Sequence, residues 1–176
     1  TEKPDFIIHA AAISNQQKAE LIDPRTVYKT NVIATEKLAI YANKINARLI
    51  YISTDLVYAG YRGSYLTENS KLIPASLYAE TKLVAEQKVK EFSNNYTILR
   101  NALMFGLYNN MNINFFNQMY HNLKTGNRIK LFYDQFRTPL SFSEAAQMLK
   151  KLINIIKDNN NILQNDIANF GGNERI

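Results

Sequence analysis

Two short apolar segments separated by a helical stretch most constrain the fold of this chain. The first, DFIIHAAA at residues 5–12, passes directly into small residues, and the second, LIYIS, covers residues 49–53. Between them, Asp23 offers a helix N-cap, Pro24 offers the first helical position, and apolar residues follow at helical spacing through Ile45. A strand, a helix and a strand within about 45 residues form a βαβ unit, which predicts parallel strands and a right-handed crossover.

A further helix and strand extend this unit. Ser76 is predicted to be the N-cap of a helix from Leu77 to about Phe92, and YTILR at residues 96–100 is predicted to be a third parallel strand. The helix is expected to bury Leu83, Val89 and Phe92 and to expose Glu80, Glu86, Lys88 and Lys90. The order βαβαβ predicts an α/β chain that contains one half of a doubly wound nucleotide-binding sheet.

The rest of the chain shows weaker signals. Residues 56–75, with two glycines and a proline, are predicted to form a loop over the mouth of the crevice. Residues 112–123 are predicted to be helical, residues 129–132 a strand, and residues 167–170 a final strand. Between the last two lies an amphipathic helix, predicted over residues 143–156, with Ser143 as its cap and Glu144 in its first turn.

Composition excludes several classes of function. The 176 residues are 46% apolar, enough for one domain with a sizeable core. The net charge of +6 is scattered, which favours a solvated basic surface over a nucleic-acid site. No cysteine is present, and His9 and His121 lie too far apart in sequence to indicate a zinc site. No apolar run reaches the roughly 18 residues that span a bilayer, so the expected setting is cytoplasmic, without membrane contact.

Three side chains could carry out proton chemistry on a carbonyl group. Tyr78 and Lys82 lie four residues apart on one face of the predicted helix, where a cation favours the phenolate and lowers a tyrosine pKa from near 10. Thr54 ends the second strand, and ligands of parallel sheets bind at that end. The alternatives are an ordinary exposed helix pair for Tyr78 and Lys82 and a backbone-capping hydroxyl for Thr54.

With Thr54 placed 24 residues before Tyr78, the chain resembles the extended short-chain dehydrogenase/reductase superfamily. The segment STDLVYAG is similar to the STDYVFDG signature of dTDP-4-dehydrorhamnose reductases, which reduce a 4-keto group on a nucleotide-activated deoxysugar. The segments HAAA, NVIAT, ILRNALMFG, DQFRTPLSFSEAA and NFGGNERI are similar to segments in the same order in that family. Sugar-nucleotide epimerases and dehydratases share most of these segments and stay open as alternatives.

The resemblance implies a role for each catalytic candidate. Tyr78 would donate a proton to the substrate carbonyl oxygen as hydride arrives from the nicotinamide, and Thr54 would hydrogen-bond the same oxygen. Lys82 would lower the pKa of the phenol and hold the cofactor ribose. Asn31 would complete the active-site tetrad through water; its alternative is a packing compromise inside a helix.

The resemblance also implies binding residues. Ala10, Ala11, Ala12 and Ser53 would line the cofactor, although a tightly packed strand end would favour the same alanines. Asp55, Gln135, Arg137 and Thr138 would contact the substrate, with an ordinary surface position as the alternative for Arg137. His9 is expected to be a hydrogen-bonded structural residue.

The glycine-rich phosphate loop of doubly wound folds is missing from this sequence. The glycines lie at 60, 63, 106, 126, 171 and 172, and none forms such a motif after a strand. By resemblance, residues 5–12 correspond to the fourth strand, so we expect a chain that is truncated at both ends and inactive alone. Residues 1–101 are predicted to be the catalytic half of a Rossmann-like NAD(P)-binding domain, and residues 102–176 a small mixed α/β substrate-binding portion.

The implied cofactor is NADPH or NADH, and the implied partner is a nucleotide-sugar substrate. Family members also form homodimers with an associated magnesium ion, for which no residue here is a signal. A function of a different class stays open as well, because the regulatory subunit of methionine adenosyltransferase uses this fold for binding without turnover.

Overall fold

Four parallel strands form the main sheet of the structure, which is a computed structural model. The strands are β1 (Phe6–His9), β2 (Arg48–Thr54), β3 (Tyr96–Asn101) and β6 (Asp166–Phe170). They lie in the order β1, β2, β3, β6, and all neighbouring pairs are parallel. Because every crossover between parallel strands returns the chain to the same edge, Thr54 and Asn101 end their strands side by side. The predicted α/β class is confirmed.

The structure describes residues 3–14, 21–60, 65–106, 115–131, 133 and 136–175. They divide into a first unit, Thr1–Asn101 with Asn159–Phe170, and a second unit, Ala102–Asp158 with Gly171–Ile176. The first unit includes Asn159–Phe170, which contains β6, whereas the prediction placed all of residues 102–176 together. Pairing with β3 accounts for the difference, since it satisfies the backbone groups of both strands and packs Ile167 against the first unit's core.

Helices cover one face of the first unit's sheet. The first helical stretch contains α1 (Pro24–Tyr28), a π-helical turn (Lys29–Ile33) and α2 (Ala34–Lys44), and α3 follows at Leu77–Phe92. The bounds of α3 match the prediction, and the Ser76 side chain caps it by accepting a hydrogen bond from the Ala79 amide. The buried core under these helices comprises Ala39, Ala42, Ala47, Leu49, Tyr51, Ala85, Val89 and Ile98.

Glu86 departs from the predicted pattern of α3. It was expected to meet water, but its side chain is fully buried. Arg100 of β3 is also buried and faces the helix, and its guanidinium binds both carboxylate oxygens of Glu86. The prediction was wrong because a buried partner on another strand, which helical periodicity does not reveal, satisfies the charge.

The second unit contains a two-stranded parallel sheet and two helices. β4 (Met104–Phe105) pairs with β5 (Leu140–Ser141), and the helices are α4 (Phe115–Lys124) and α5 (Phe142–Asp158). The helix predicted from residue 112 is thus confirmed from Phe115, since residues 112–114 lie outside the described part. The strand predicted over residues 129–132 is wrong for residues 129–131, and residue 132 is not described.

The cap of α5 also differs from the prediction. Ser141, rather than Ser143, caps the helix, because its hydroxyl oxygen accepts a hydrogen bond from the Glu144 amide. The Glu144 carboxylate in turn accepts hydrogen bonds from the Ser141 amide and hydroxyl, which makes a capping box. Either serine could act as a helix N-cap. Ser141 is the cap because β5 ends at this residue and the helix begins at the next one. None of the helices described here is long and apolar enough to cross a bilayer.

Candidate active site

One predicted catalytic residue and three predicted cofactor-binding residues lie at the carboxyl ends of β1 and β2. Thr54 is the last residue of β2, and the three alanines Ala10, Ala11 and Ala12 follow β1 directly. Ala10 and Ala11 are exposed, and Ala12 is half-buried. Small side chains at a strand end let another group approach the backbone closely.

The Thr54 hydroxyl acts on the Tyr78 phenol, whose pKa it lowers. Thr54 is buried at the strand end, where its hydroxyl oxygen also accepts a hydrogen bond from the Leu56 amide at 3.3 Å. Burial raises the pKa of Tyr78 to about 12, the Thr54 hydrogen bond acts in the opposite direction, and the Asp55 carboxylate raises this pKa further. The sequence predicted a lowered phenol pKa, so the structure corrects the direction of the shift.

Lys82 explains this correction, because its ammonium group is directed at the sheet. Its Nζ donates a hydrogen bond to the carbonyl oxygen of Ile52 at 2.6 Å and lies 4.0 Å from the centroid of the Tyr51 ring. The side chain is buried, and burial lowers the pKa of Lys82 to about 7, against the opposing effect of the Glu86 carboxylate. Desolvation therefore dominates the electrostatics of both Tyr78 and Lys82.

Asn31 lies in the π-helical turn and forms hydrogen bonds with the backbone of the segment after β1. Its Oδ1 accepts a hydrogen bond from the Ile13 amide at 2.8 Å, and its Nδ2 donates to the Ile13 carbonyl at 3.3 Å. The same Nδ2 donates to the Thr81 hydroxyl of α3 at 3.0 Å. Asn31 thus ties the backbone that follows the alanines to the helix that carries Tyr78 and Lys82. Single π turns of this kind occur often at functional sites.

His9, the buried last residue of β1, is a hydrogen-bonded residue, as predicted. The Thr35 hydroxyl donates to the Asn31 carbonyl at 2.7 Å, so it can only accept from His9, whose Nε2 lies 2.8 Å away. His9 Nε2 therefore carries the hydrogen. Burial, assisted by the Lys82 charge, lowers the pKa of His9 to about 4, so that the ring is neutral at physiological pH.

Ser53 of β2 belongs to a buried polar network that the sequence did not predict. Its hydroxyl donates to the Glu86 carboxylate at 2.5 Å, and Arg100 donates to that carboxylate at 3.1 and 2.8 Å. Arg100 also donates to the Tyr58 hydroxyl at 3.0 Å and to the Glu68 carbonyl at 2.9 Å. The Ser53 side chain is thus occupied within the protein.

A sequence signal for this network was available. Glu86 lies four residues after Lys82, as Lys82 lies four residues after Tyr78, so all three fall on one face of α3. Arg100 stands in an otherwise apolar strand, YTILR, where an arginine requires a buried partner. Together these two positions indicate a buried ion pair next to the candidate catalytic groups.

The predicted substrate residues are divided between the units. Asp55 begins a 3₁₀ turn, Asp55–Val57, directly after Thr54 and is half-buried. Arg137 and Thr138 lie in the second unit, where the Thr138 carbonyl accepts a hydrogen bond from the Gly172 amide at 3.0 Å. Gln135 lies outside the described residues. Within the described part of the chain, no group of three or more His, Asp or Glu side chains is arranged to hold a metal ion.

Comparison with known proteins finds relatives over nearly the whole chain. Residues 1–171 match the family model described as the RmlD substrate binding domain. The chain is 31% identical over 147 residues to a dTDP-4-dehydrorhamnose reductase from Aggregatibacter actinomycetemcomitans, which covers 84% of this chain and 49% of that protein. The chain therefore spans about half the length of this curated relative.

Two further matches bear on the alternatives. Methionine adenosyltransferase 2 subunit beta from Xenopus laevis is 36% identical over 106 residues, covering 59% of this chain and 30% of that protein. Among solved structures, a dTDP-4-dehydrorhamnose reductase from Bacillus anthracis str. Ames in complex with NADP gives a TM-score of 0.84 at 29% identity. That comparison covers 98% of this chain and 58% of the solved chain. The Rossmann-like architecture predicted from the strand order is confirmed by this match.

Proposed function

Because the chain belongs to the RmlD substrate binding domain family, we propose that it forms the catalytic and substrate-binding part of a sugar-nucleotide reductase. The reaction would be the NAD(P)H-dependent reduction of a 4-keto group on a nucleotide-linked deoxysugar. One observation carries the proposal: the hydrogen bond from buried Lys82 to the Ile52 carbonyl brings the start of α3, which carries Tyr78, to the carboxyl end of β2, which carries Thr54. Two adjacent hydroxyls can bind one carbonyl oxygen from two directions.

Proton transfer would come from Tyr78. Its raised pKa of about 12 keeps the phenol protonated at neutral pH, so that it holds the proton a developing alkoxide requires. Thr54 would donate a second hydrogen bond to the same oxygen and so stabilise the charge of the transition state. Lys82 would hold the cofactor ribose, since its ammonium is directed at the Ile52 carbonyl rather than at the phenol, and its pKa of about 7 leaves a substantial ammonium fraction at neutral pH.

A nicotinamide dinucleotide would supply the hydride when bound. The residues suited to hold it are Ala10, Ala11 and Ala12, whose small side chains stand at the open strand end, and Lys82, which could reach its ribose. Ser53 would contribute only backbone groups, because its hydroxyl is bound to Glu86. Asp55, Arg137, Thr138 and Gln135 are retained as proposed substrate contacts.

The proposal is tested with the protein expressed from its complete reading frame. NAD(P)H absorbance is followed with a dTDP-4-keto-deoxysugar, and we expect Tyr78→Phe to abolish oxidation while the fold is retained. Tyr41→Phe, at an exposed position on α2, is the matched control and should leave the rate unchanged. Stoichiometric oxidation of added cofactor distinguishes a reductase from an epimerase or dehydratase, which would retain its cofactor through turnover. Full activity of Tyr78→Phe would overturn the assigned mechanism.

A regulatory subunit is the second candidate, because of the match to methionine adenosyltransferase 2 subunit beta. Association without turnover requires no proton donor, whereas the chain retains Thr54, Tyr78 and Lys82 in one site. A stable complex with a methionine adenosyltransferase, together with no sugar reduction, would favour this candidate.

A further inference from the structure

The segment of residues 65–76 leads into α3 and is held by polar contacts rather than by a core. None of these residues, all of which the structure describes, is buried. A segment with few buried apolar contacts opens at a low cost in free energy unless specific bonds hold it. These bonds bear on the proposed site, because Tyr78 is the second residue of the helix that the segment enters.

A chain of hydrogen bonds fastens the 65–76 segment to the sheet. Arg100 Nη1 donates to the Tyr58 hydroxyl at 3.0 Å, and this hydroxyl donates to Asn169 Oδ1 at 2.6 Å. Asn169 Nδ2 then donates to the Leu66 carbonyl at 3.1 Å, which fixes the orientation of the amide because only its nitrogen can donate. Every donor points the same way, starting from a charged group, so each bond polarises the next one.

Glu68 joins the same segment to two strands. Its carbonyl accepts a hydrogen bond from Arg100 Nη1 at 2.9 Å, and its Oε1 accepts one from the Asn169 amide at 2.7 Å. Arg100 and Asn169 are register partners in the paired strands β3 and β6. The segment is thus fastened at one level of the sheet, one residue before the carboxyl end of each strand.

Tyr58 is the buried residue through which this chain of bonds passes. It is 5% exposed, and its ring centroid lies 4.9 Å from the Arg100 guanidinium carbon. Its amide donates to the Asp55 carbonyl at 3.1 Å, which closes the 3₁₀ turn after Thr54. Tyr58 also forms an antiparallel bridge with Leu72. It therefore contacts the turn that follows one proposed catalytic residue and the segment that precedes the other.

We propose, on the basis of the proposed reductase function, that Tyr58 is a positioning residue for that reaction. Its hydroxyl, held between Arg100 and Asn169, fixes the 65–76 segment against the carboxyl ends of β3 and β6. The segment precedes one proposed catalytic hydroxyl, that of Tyr78, and the turn that Tyr58 closes follows the other. Tyr58 thereby sets the relative placement of the two hydroxyls and takes no part in proton transfer itself.

Residue-resolved hydrogen exchange of Tyr58→Phe tests this placement without turnover, in the protein from the complete reading frame. Phenylalanine keeps the ring against Arg100 and removes only the hydroxyl. The Ser70 amide is bonded within the segment, and the Asn169 amide is bonded to it. We expect both amides to exchange about tenfold faster in the variant, on the scale of one lost hydrogen bond.

Two amides beside the catalytic candidates separate positioning from a purely structural role. The Leu56 amide donates to the Thr54 hydroxyl, and the Ala79 amide donates to the Ser76 side chain at the start of α3. Both amides should also exchange faster in the variant, because the turn and the helix start lose a common support. If the faster exchange does not reach these two amides, Tyr58 is merely structural and the proposal is overturned.

Steady-state kinetics give a second readout. Tyr58→Phe should lower kcat by about tenfold, because a misplaced reacting group slows the chemical step. KM for NAD(P)H should stay unchanged, since the three alanines proposed to line the cofactor follow β1. An unchanged kcat in an active enzyme would overturn the proposal. If the wild type reduces no sugar, the reductase proposal fails, while exchange of the Leu56 and Ala79 amides still decides the role of Tyr58.

Tyr96→Phe is the matched control. It removes the hydroxyl of a half-buried tyrosine at the opposite end of β3 and should change neither these exchange rates nor kcat. Should Tyr58→Phe fail to fold, Asn169→Ala, at an exposed position, breaks the same chain of hydrogen bonds, and the same pattern of faster exchange is expected. Wild-type exchange in folded Asn169→Ala would then contradict the proposal.

Discussion

The Nζ atom of Lys82 lies 2.6 Å from the carbonyl oxygen of Ile52, two residues before Thr54. This bond ties α3, which carries Tyr78, to the end of β2, which carries Thr54. It also holds an amine in a buried position, where desolvation lowers its pKa to about 7. Burial of the Lys82 amine therefore suits the proposed chemistry but lowers the free energy of unfolding, and this loss can be measured.

Lys82→Met is expected to stabilise the first unit while abolishing reduction. The lysine pKa is about 7 in the folded protein and 10.5 in the unfolded reference, so burial destabilises the fold fully below pH 7 and progressively less toward pH 10.5. After loss of the bond to Ile52, we expect a net gain of about 2 kcal/mol at pH 7 that shrinks by pH 10. Urea unfolding at pH 7 and pH 10 measures this gain in unfolding free energy, and Lys90→Met, at an exposed position, is the control. A less stable Lys82→Met at pH 7 contradicts the prediction.

Thr54→Val and Thr54→Ser separate the hydroxyl from the packing of its side chain. Valine fills the same buried volume without a donor, so we expect kcat to fall by about 100-fold, the scale for loss of one donor to a transition-state oxygen. Serine keeps the donor and should stay within a few-fold of wild type. Steady-state kinetics on both variants provide the measurement, and wild-type turnover by Thr54→Val would exclude contact between Thr54 and the reacting oxygen.

His9 should make the fold sensitive to mild acid. Its pKa is about 4 when folded and 6.5 in the reference, so the unfolded state binds the proton first and stability falls as pH drops from 6.5 to 4. The loss attributable to this residue is about 3 kcal/mol. The contribution of His9 is isolated by comparing the urea midpoints of wild type and His9→Gln between pH 6.5 and pH 4. Glutamine is chosen because it keeps a hydrogen-bond donor for Thr35. Exposed His121→Gln is the control, and parallel pH curves for wild type and His9→Gln would refute the assignment.

Arg48, at the opposite end of β2 from Thr54, should be a strong determinant of stability. It is buried at the start of β2, where it donates to the Thr97 hydroxyl and to the carbonyls of Asn160 and Ile162. Arg48→Met leaves these acceptors unsatisfied, and we expect a loss of about 3 kcal/mol in unfolding free energy. Chemical denaturation measures this loss, with exposed Arg25→Met as the control. Equal stability of the two variants would show that the carbonyls find other donors.

Local periodicity accounts for the part of the fold that the sequence predicted. The three strands that begin before residue 100, their parallel pairing and the bounds of α3 follow from apolar runs, a serine cap and helical spacing. The spacing of Thr54, Tyr78 and Lys82 likewise indicated one site, because strand ends and helix starts adjoin in a βαβ unit. These features depend on near neighbours in the chain.

The electrostatics of the site depended on residues that are distant in sequence. Helical spacing places Glu86 on the same face of α3 as Lys82. Only the pairing of β3 with β2 brings Arg100 to the Glu86 carboxylate, and this partner allows the carboxylate to be buried. The same packing turns Lys82 to the Ile52 carbonyl and raises, rather than lowers, the pKa of Tyr78. Thus the sequence by itself indicated which catalytic candidates share one site, and only the tertiary structure decided their partners and the directions of their pKa shifts, because solvation depends on everything that surrounds a group.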